Sequence, residues 1–385
     1  MWIGACTSSV GTWMQEIALG LLVYNLTNSA FLLGLEAFLG DIPIFLLSLV
    51  GGVIADRMDR RHLLLASQGI QMFSALFLTV LVAFKVVHIW HILALSFLTG
   101  VAQAFGGPAY QALVPSLVDK EDLPNAIALQ SIQFNVARVL GPAIGGLTLA
   151  KLGPQWCFGL NGLSFFAPII SLLIVRPRFT PSRPEGSILH SMKEGIRFIR
   201  RQGAMEALMV LAFCMTGLGI PMLTFLPVFA RDVFHDPITT LTLFFSLSGV
   251  GSIVGALTVA GLGNIPHKGR VALSALVTLG LSISVFAVSK SLVFSCIAIF
   301  LAGTSMIVVF AMVNSLVQLI TTNEMRGRVM SVYNFAFRGG MPMGNLITGR
   351  LVPVFSAPSV LACNGLLLFA LAIYFFVGQR RVASL

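Results

Sequence analysis

Residues 291–323 read SLVFSCIAIFLAGTSMIVVFAMVNSLVQLITTN. No Asp, Glu, Lys or Arg interrupts this stretch, and it exceeds the about 20 apolar residues that carry a helix across a bilayer. Equally uncharged runs cover 86–118, 152–175, 207–230, 237–266 and 351–379. Membrane barrels are built differently, from strands of about 10 residues with alternating polarity. The pattern therefore dictates an all-α polytopic membrane protein. Composition agrees: 57% of the 385 residues are hydrophobic and 10% charged, against about 25% charged in an average soluble domain. A soluble globular enzyme is excluded.

Working outward from these runs, spans fall near 1–24, 31–55, 63–84, 90–113, 126–150, 155–175, 205–230, 239–262, 271–289, 292–320, 329–350 and 359–378. Twelve spans of about 20 residues leave only short loops and no sizeable soluble domain. One long polar stretch lies between the sixth and seventh. It opens on Arg176-Pro177-Arg178 and Pro181-Ser182-Arg183-Pro184, a linker composition. An amphipathic helix is predicted to follow, with Ile188, Leu189, Met192, Ile196 and Ile199 on one face and Lys193, Arg197, Arg200 and Arg201 elsewhere. The expected organisation is a six-helix bundle over 1–175, a cytoplasmic linker over 176–204 and a second six-helix bundle over 205–385.

Charge sets the orientation. With both termini in the cytoplasm, 17 of the 24 Lys and Arg residues fall on that side. The exceptions are Lys85, Lys151, Arg231, Lys290 and Arg350 on the other side, and Arg138 and Arg338 within spans. This is the positive-inside pattern. It accounts for the net charge of +10 without a nucleic-acid partner. The chain begins apolar at Met1-Trp2-Ile3-Gly4, which reads as no signal peptide and as a start placed slightly late. Cys6, Cys157, Cys214, Cys296 and Cys363 are scattered, so neither a disulfide framework nor a zinc site is expected. His88-Ile89-Trp90-His91 raises a metal site, but an outer loop beside a tryptophan fits interfacial anchoring better. No metal or other cofactor is expected.

The halves echo each other. Arg138-Val139-Leu140-Gly141-Pro142 in the fifth span is matched by Arg338-Gly339-Gly340-Met341-Pro342 in the eleventh. An arginine inside a span is costly, so its recurrence four residues before a proline points to a duplicated six-span unit. Such internal repeats are a transporter architecture.

The loop between spans two and three reads Gly52-Val53-Ile54-Ala55-Asp56-Arg57-Met58-Asp59-Arg60-Arg61. It resembles the G-x-x-x-D-R-x-x-R-R signature of the major facilitator superfamily. Gly141-Pro142-Ala143-Ile144-Gly145-Gly146 resembles the G-P-x-x-G-G signature of that superfamily's proton-coupled exporters. Gly11-Thr12-Trp13-Met14-Gln15-Glu16 and Tyr24-Asn25-Leu26-Thr27 are similar to the branch of enterobactin exporters and macrolide efflux proteins. The resemblance spans essentially the whole chain. It departs at Asp59 and Ala137, where glycine is common, and in the second-half loop 261–270, which has no acid.

Gly52 is expected to let a neighbouring helix approach closely. Asp56 suits a helix start, where free N–H groups favour an anion. Arg57, Arg60 and Arg61 suit pairing across the cytoplasmic gap between halves, or an orientation signal alone. Gly141-Pro142 interrupts the hydrogen-bond ladder of its span, and Gly145 and Gly146 allow tight contact. Together with Arg138 they suggest a bend or gate, with Arg338 and Pro342 as the second-half counterpart. Glu36 reads as solvated near the outer interface. Glu16, Asp41 and Arg138 lie about 12, 15 and 18 Å from their outer span ends, at similar depth near the midplane. Intramembrane ionisable groups are functional candidates. A carboxyl whose distance to an arginine changes during a motion converts that motion into proton uptake or release.

The resemblance implies a proton-coupled secondary exporter acting by alternating access on an amphipathic compound such as a siderophore, a macrolide or another drug. The expected setting is a monomer in the bacterial inner membrane, with a small-molecule substrate, protons and the lipid bilayer as partners. No P-loop is present to bind ATP. The rival reading is a polytopic enzyme acting on lipid, which needs clustered Asp or His at a membrane face. Asp56 and Asp59 come nearest, in an arginine-rich setting that suits pairing better. A receptor or scaffold of transporter fold is a third reading.

Overall fold

The computed structural model describes residues 1–119, 121–174, 188–263, 265–378 and 382, with the side chains of all but 49, 56 and 188–191. Lys120, Arg176, Arg178, Arg183, Arg380 and Arg381 of the orientation pattern lie outside the described residues, as does the linker before residue 188.

The chain is a succession of helices. These are α1 (Trp2–Thr27), α2 (Ala30–Arg57), α3 (Arg60–Ala83), α4 (Ile89–Leu113), α5 (Leu123–Leu152), α6 (Pro154–Ser164) and α7 (Phe166–Ile174). Then come α8 (Ile188–Arg201), α9 (Gly203–Gly219), the short turns α10 (Pro221–Thr224) and α11 (Leu226–Val228), and α12 (Pro237–Leu262). The last four are α13 (Lys268–Val288), α14 (Leu292–Ile320), α15 (Arg326–Phe355) and α16 (Ala357–Ile373). No strand occurs among the described residues.

Nine helical segments among the described residues are long and apolar enough to cross a membrane. Helices α1, α5 and α15 are as long, with 26, 30 and 30 residues. Their hydropathy is diluted by Gln15 and Glu16, by Arg138 and Lys151, and by Arg326, Arg328, Arg338 and Arg350 respectively.

Local chemistry sets the helix ends. Helix α1 stops at Asn28, which takes the left-handed conformation (φ 48°) and returns its N–H to the Tyr24 carbonyl. Ser29 then caps α2 by accepting from the Leu32 N–H at 3.3 Å. His88 and His91, weighed above as metal ligands, cap α4 instead: the His88 N–H donates to His91 Nδ1 at 3.0 Å. Helix α8 forms where the amphipathic pattern places one.

Chain contacts divide the protein into two compact units, Met1–Glu185 with Asp236–Ser246, and Gly186–His235 with Leu247–Leu385. In the first unit, α2 and α4 meet backbone to backbone. A Cβ on Gly51 would overlap the Ala104 carbonyl oxygen, and one on Gly100 the Gly40 carbonyl. The close approach expected at Gly52 therefore falls one residue earlier; a Cβ on Gly52 meets nothing within 4 Å among the described residues. The pleat of a helix turns successive residues by 100° about its axis, so only one of the two glycines can face α4. The second unit repeats the seam. Gly251 on α12 rests on the Phe300 carbonyl of α14, and Gly303 on α14 rests on the Ser248 carbonyl of α12. Without a hydrophobic driving force between helices in lipid, such close backbone packing supplies much of the association energy.

Candidate functional site

The signature loop is built by its own charges. Asp59, between α2 and α3, accepts from the Arg61 N–H at 2.9 Å and pairs with His62 at 3.0 Å, so it caps α3. Arg60 donates to the Ala55 carbonyl at 3.3 Å and the Ala112 carbonyl at 2.9 Å. Arg61 donates to the Leu172 and Leu173 carbonyls at 2.5 and 2.8 Å. These acceptors lie in the last turns of α2, α4 and α7, where carbonyls lack helical partners and the dipole favours a cation. The two arginines thus tie three helix ends of the first unit together. Arg57 is exposed. Asp56 sits in the last turn of α2, and its side chain lies outside the described residues. In the second-half loop, Lys268 Nζ reaches Ser315 Oγ at 3.2 Å.

The intramembrane carboxylates gather in the first unit. Glu36 accepts from the Ser96 hydroxyl at 2.7 Å, linking α2 to α4, so it is bonded where the sequence suggested simple solvation. Glu16 lies on α1 and Asp41 on α2, five residues after Glu36. Glu16 is exposed and Asp41 half-buried. Arg138 lies on α5. Only 7% exposed, its guanidinium lies over the Trp13 ring, 5.7 Å from the centroid, a cation–π contact. It makes no ion pair among the described residues.

Helix α5 is continuous across Pro142. Gly141 and Gly145 seat it on α1 at Trp13 and Met14, and Gly146 faces Thr242 of α12. In the second unit, Pro342 lies inside α15, and Gly344 rests on Gly217 of α9. Arg338 is exposed. The amphipathic α8 is held to α15 by Glu194 and Arg328, 2.5 Å apart, and by Gly195 against the Arg328 carbonyl.

The first unit also holds a partly open cavity of about 280 Å³ among α1, α3, α4 and α5. Its wall is rich in amides. Gln103 donates to Gln71 at 3.0 Å, and Gln71 donates to Ser67 Oγ at 3.1 Å. Tyr110 donates to Gln133 at 3.0 Å, and Gln133 donates to Ser9 Oγ at 2.9 Å. Trp13 and Phe134 meet edge-on beside them, ring centroids 6.2 Å apart. Reading the sequence for charge passed over these glutamines. Their signal was present: Gln68, Gln71, Gln103 and Gln133 are strong hydrogen-bonding groups in otherwise apolar spans, where a polar side chain needs a partner.

The profile of the family described as "Transmembrane secretion effector" matches residues 1–383. The staphyloferrin A transporter of Staphylococcus aureus is 24% identical, over 97% of this chain and 94% of its own. An enterobactin exporter of Citrobacter koseri is 25% identical, over 97% and 90%. The multidrug efflux pump Tap of Mycolicibacterium fortuitum is 25% identical, over 90% and 87%. Among solved structures, a peptide transporter of the POT family superposes with a TM-score of 0.79 at 11% identity, over 99% of this chain and 96% of that one. A bacterial homologue of the lysosomal transporter Spinster gives 0.78 at 12% identity, again over 99% and 96%. At these identities the superpositions show the fold. The protein is thus a multi-pass membrane transporter and no enzyme. A profile match along nearly the whole chain places it in the transmembrane secretion effector family of the major facilitator superfamily.

Proposed function

We propose that this transporter is a proton-coupled exporter of an amphipathic small molecule, a siderophore or a drug, working by alternating access in the bacterial cytoplasmic membrane. Relatives named for siderophore export and drug efflux support the direction and the class of cargo. In this reading α1, α5 and α15 complete a set of twelve spans. Both termini and the linker face the cytoplasm, as the basic residues require, and the protein works as a monomer.

The observation that carries the coupling is that Glu16, Glu36 and Asp41 all lie within α1 and α2 of the first unit. Ionisable groups inside spans are costly to keep and are functional candidates for that reason. One of them, Glu16 or Asp41, holds the exchanged proton. Arg138 sets its affinity through the field it projects from behind Trp13. Asp56 and the arginine loop latch the cytoplasmic side in one half of the cycle. Gly141 and Pro142, with Arg338 and Pro342 opposite, let the fifth and eleventh spans flex.

Efflux from sealed vesicles with an imposed pH gradient tests this, with enterobactin, staphyloferrin A and a cationic dye as cargo. Wild-type protein is expected to move at least one of them up its gradient, and Glu16→Gln/Asp41→Asn to move none while still binding it. Uphill export that ignores the proton gradient would remove protons from the mechanism.

A further inference from the structure

We infer that the cavity within the first unit is a recognition site for an uncharged aromatic group bearing hydroxyls or amides. This goes beyond the export reading and rests on it for the source of the ligand. The site lies inside one unit, and none of Glu16, Asp41 or Arg138 lines it.

Charge is the first argument. Among the described residues, no Asp, Glu, Lys, Arg or His lines the cavity. A charged group entering it leaves water without gaining a counter-charge, which is prohibitive in a low-dielectric setting. An uncharged group loses far less and finds hydrogen-bonding partners on several sides.

Pre-organisation is the second. Ser67, Gln71 and Gln133 are buried polar side chains. Each is fixed by the bonds described above, with Ser67 Oγ also donating to the Ala102 carbonyl at 2.8 Å. Amides locked by one another present their remaining hydrogen-bonding capacity in a set direction. Gln68 supplies an open position: its Oε1 is buried and has no hydrogen-bond partner among the described residues. A buried acceptor left unmade costs about 1–3 kcal/mol, so this oxygen calls for an O–H or N–H from an occupant.

Shape is the third. Trp13 and Phe134 offer ring surfaces, and Arg138 lies over the Trp13 ring. A volume of about 280 Å³ is at the low end of small-molecule sites, roughly 300–1,000 Å³. It admits one ring-bearing group of a larger cargo. Gly107 keeps it open: it lines the cavity, and a Cβ there meets nothing within 4 Å. The neighbouring Gly106 is walled by Ser67. A larger residue at Gly107 therefore plugs the cavity without colliding with the helix packing.

The experiment uses the full chain with Trp13 as sole tryptophan, made by Trp2→Phe, Trp90→Phe and Trp156→Phe. The probes are chloramphenicol, a neutral aromatic with hydroxyls and an amide, and tetraphenylphosphonium, an aromatic cation with no hydrogen-bonding group. Chloramphenicol is expected to quench Trp13 saturably, and tetraphenylphosphonium is not. Gly107→Leu abolishes the quenching, Gly107→Ala keeps it, and Gln68→Leu weakens binding about three- to tenfold, the worth of one hydrogen bond. No saturable quenching by chloramphenicol, or equal quenching in Gly107→Leu, overturns the site and leaves water as the occupant of the cavity. Gradient-driven efflux is measured on the same preparations. Efflux without Trp13 binding sinks this site alone; binding without efflux sinks the export reading alone.

Discussion

Arg138 and Arg338 stand at the same place in the two halves, each four residues before a proline, and they meet opposite fates. Arg138 is buried against Trp13 in the first unit, whereas Arg338 is exposed in the second. The contrast extends to the surroundings. The first unit holds Glu16, Glu36, Asp41 and the amide-walled cavity. In the second, α9 and α13 to α16 contain no acid apart from Glu206 in the first turn of α9, and Asp232 lies at the far end of the span that α9 begins. The backbone seams are alike, with Gly51 against α4 in one unit and Gly251 against α14 in the other. The two units share what holds their helices together and differ in what lines them. Close packing tolerates little change in volume, while a side chain facing a cavity is freer to vary.

The largest expected effect tests whether chemistry belongs to the first unit alone. Glu16→Gln/Asp41→Asn should lose gradient-driven efflux outright. Arg338→Met, at the exposed site in the second unit, should keep at least half of the wild-type rate. An uncoupled Arg338→Met would mean that the second unit shares the proton path, and the comparison would break.

The next effect tests the shared skeleton. Gly51→Leu and Gly251→Leu both push a side chain into a facing carbonyl, and overpacking of this kind costs about 1–3 kcal/mol. Thermal denaturation in detergent should show similar losses for the two. Gly52→Leu, beside open space, should lose much less. A neutral Gly251→Leu would confine the glycine seam to the first unit.

Helix-end chemistry separates the two signature loops. Arg61 bonds two carbonyls at the end of α7, and hydrogen bonds to a charged group contribute about 1.5–3 kcal/mol each before solvent exposure reduces them. Lys268 has one hydroxyl partner among the described residues, a single bond against the two of Arg61. Arg61→Ala should therefore lower the unfolding midpoint clearly more than Lys268→Ala. Equal shifts would reduce both loops to orientation signals.

How far the sequence carried this reading follows from the same contrast. The helices were legible because uncharged runs of this length have few other uses, and the family because Asp56, Arg57, Arg60 and Arg61 keep their spacing. Asp59 reads as a departure from the family's glycine and as a companion of Asp56, although an aspartate just before a helix is also a capping signal. The partners of Arg60 and Arg61 were hidden, since carbonyls at the ends of α4 and α7 have no signature in the residue names. Gly51 and Gly52 are indistinguishable in a string, and only the rotation of α2 selects between them. The cavity escaped because its glutamines are uncharged and are brought together from three helices.

The smallest effect concerns the connector, which belongs with the second unit. Helix α8 rests on α15 through Glu194 and Arg328, whose side chains are 31% and 42% exposed. A pair this open to solvent is screened and contributes roughly 0.2–1 kcal/mol, less at high salt. Glu194→Gln should lower stability by no more than that, with the difference fading as salt is raised. Gly195→Val should cost more at every salt concentration, because it forces α8 off the Arg328 carbonyl. The two together separate charge from contact: if Glu194→Gln cost more than Gly195→Val, the helix would be held by its ion pair, and the rule drawn from the seams, that backbone proximity outweighs side-chain charge in holding this fold, would fail at its connector.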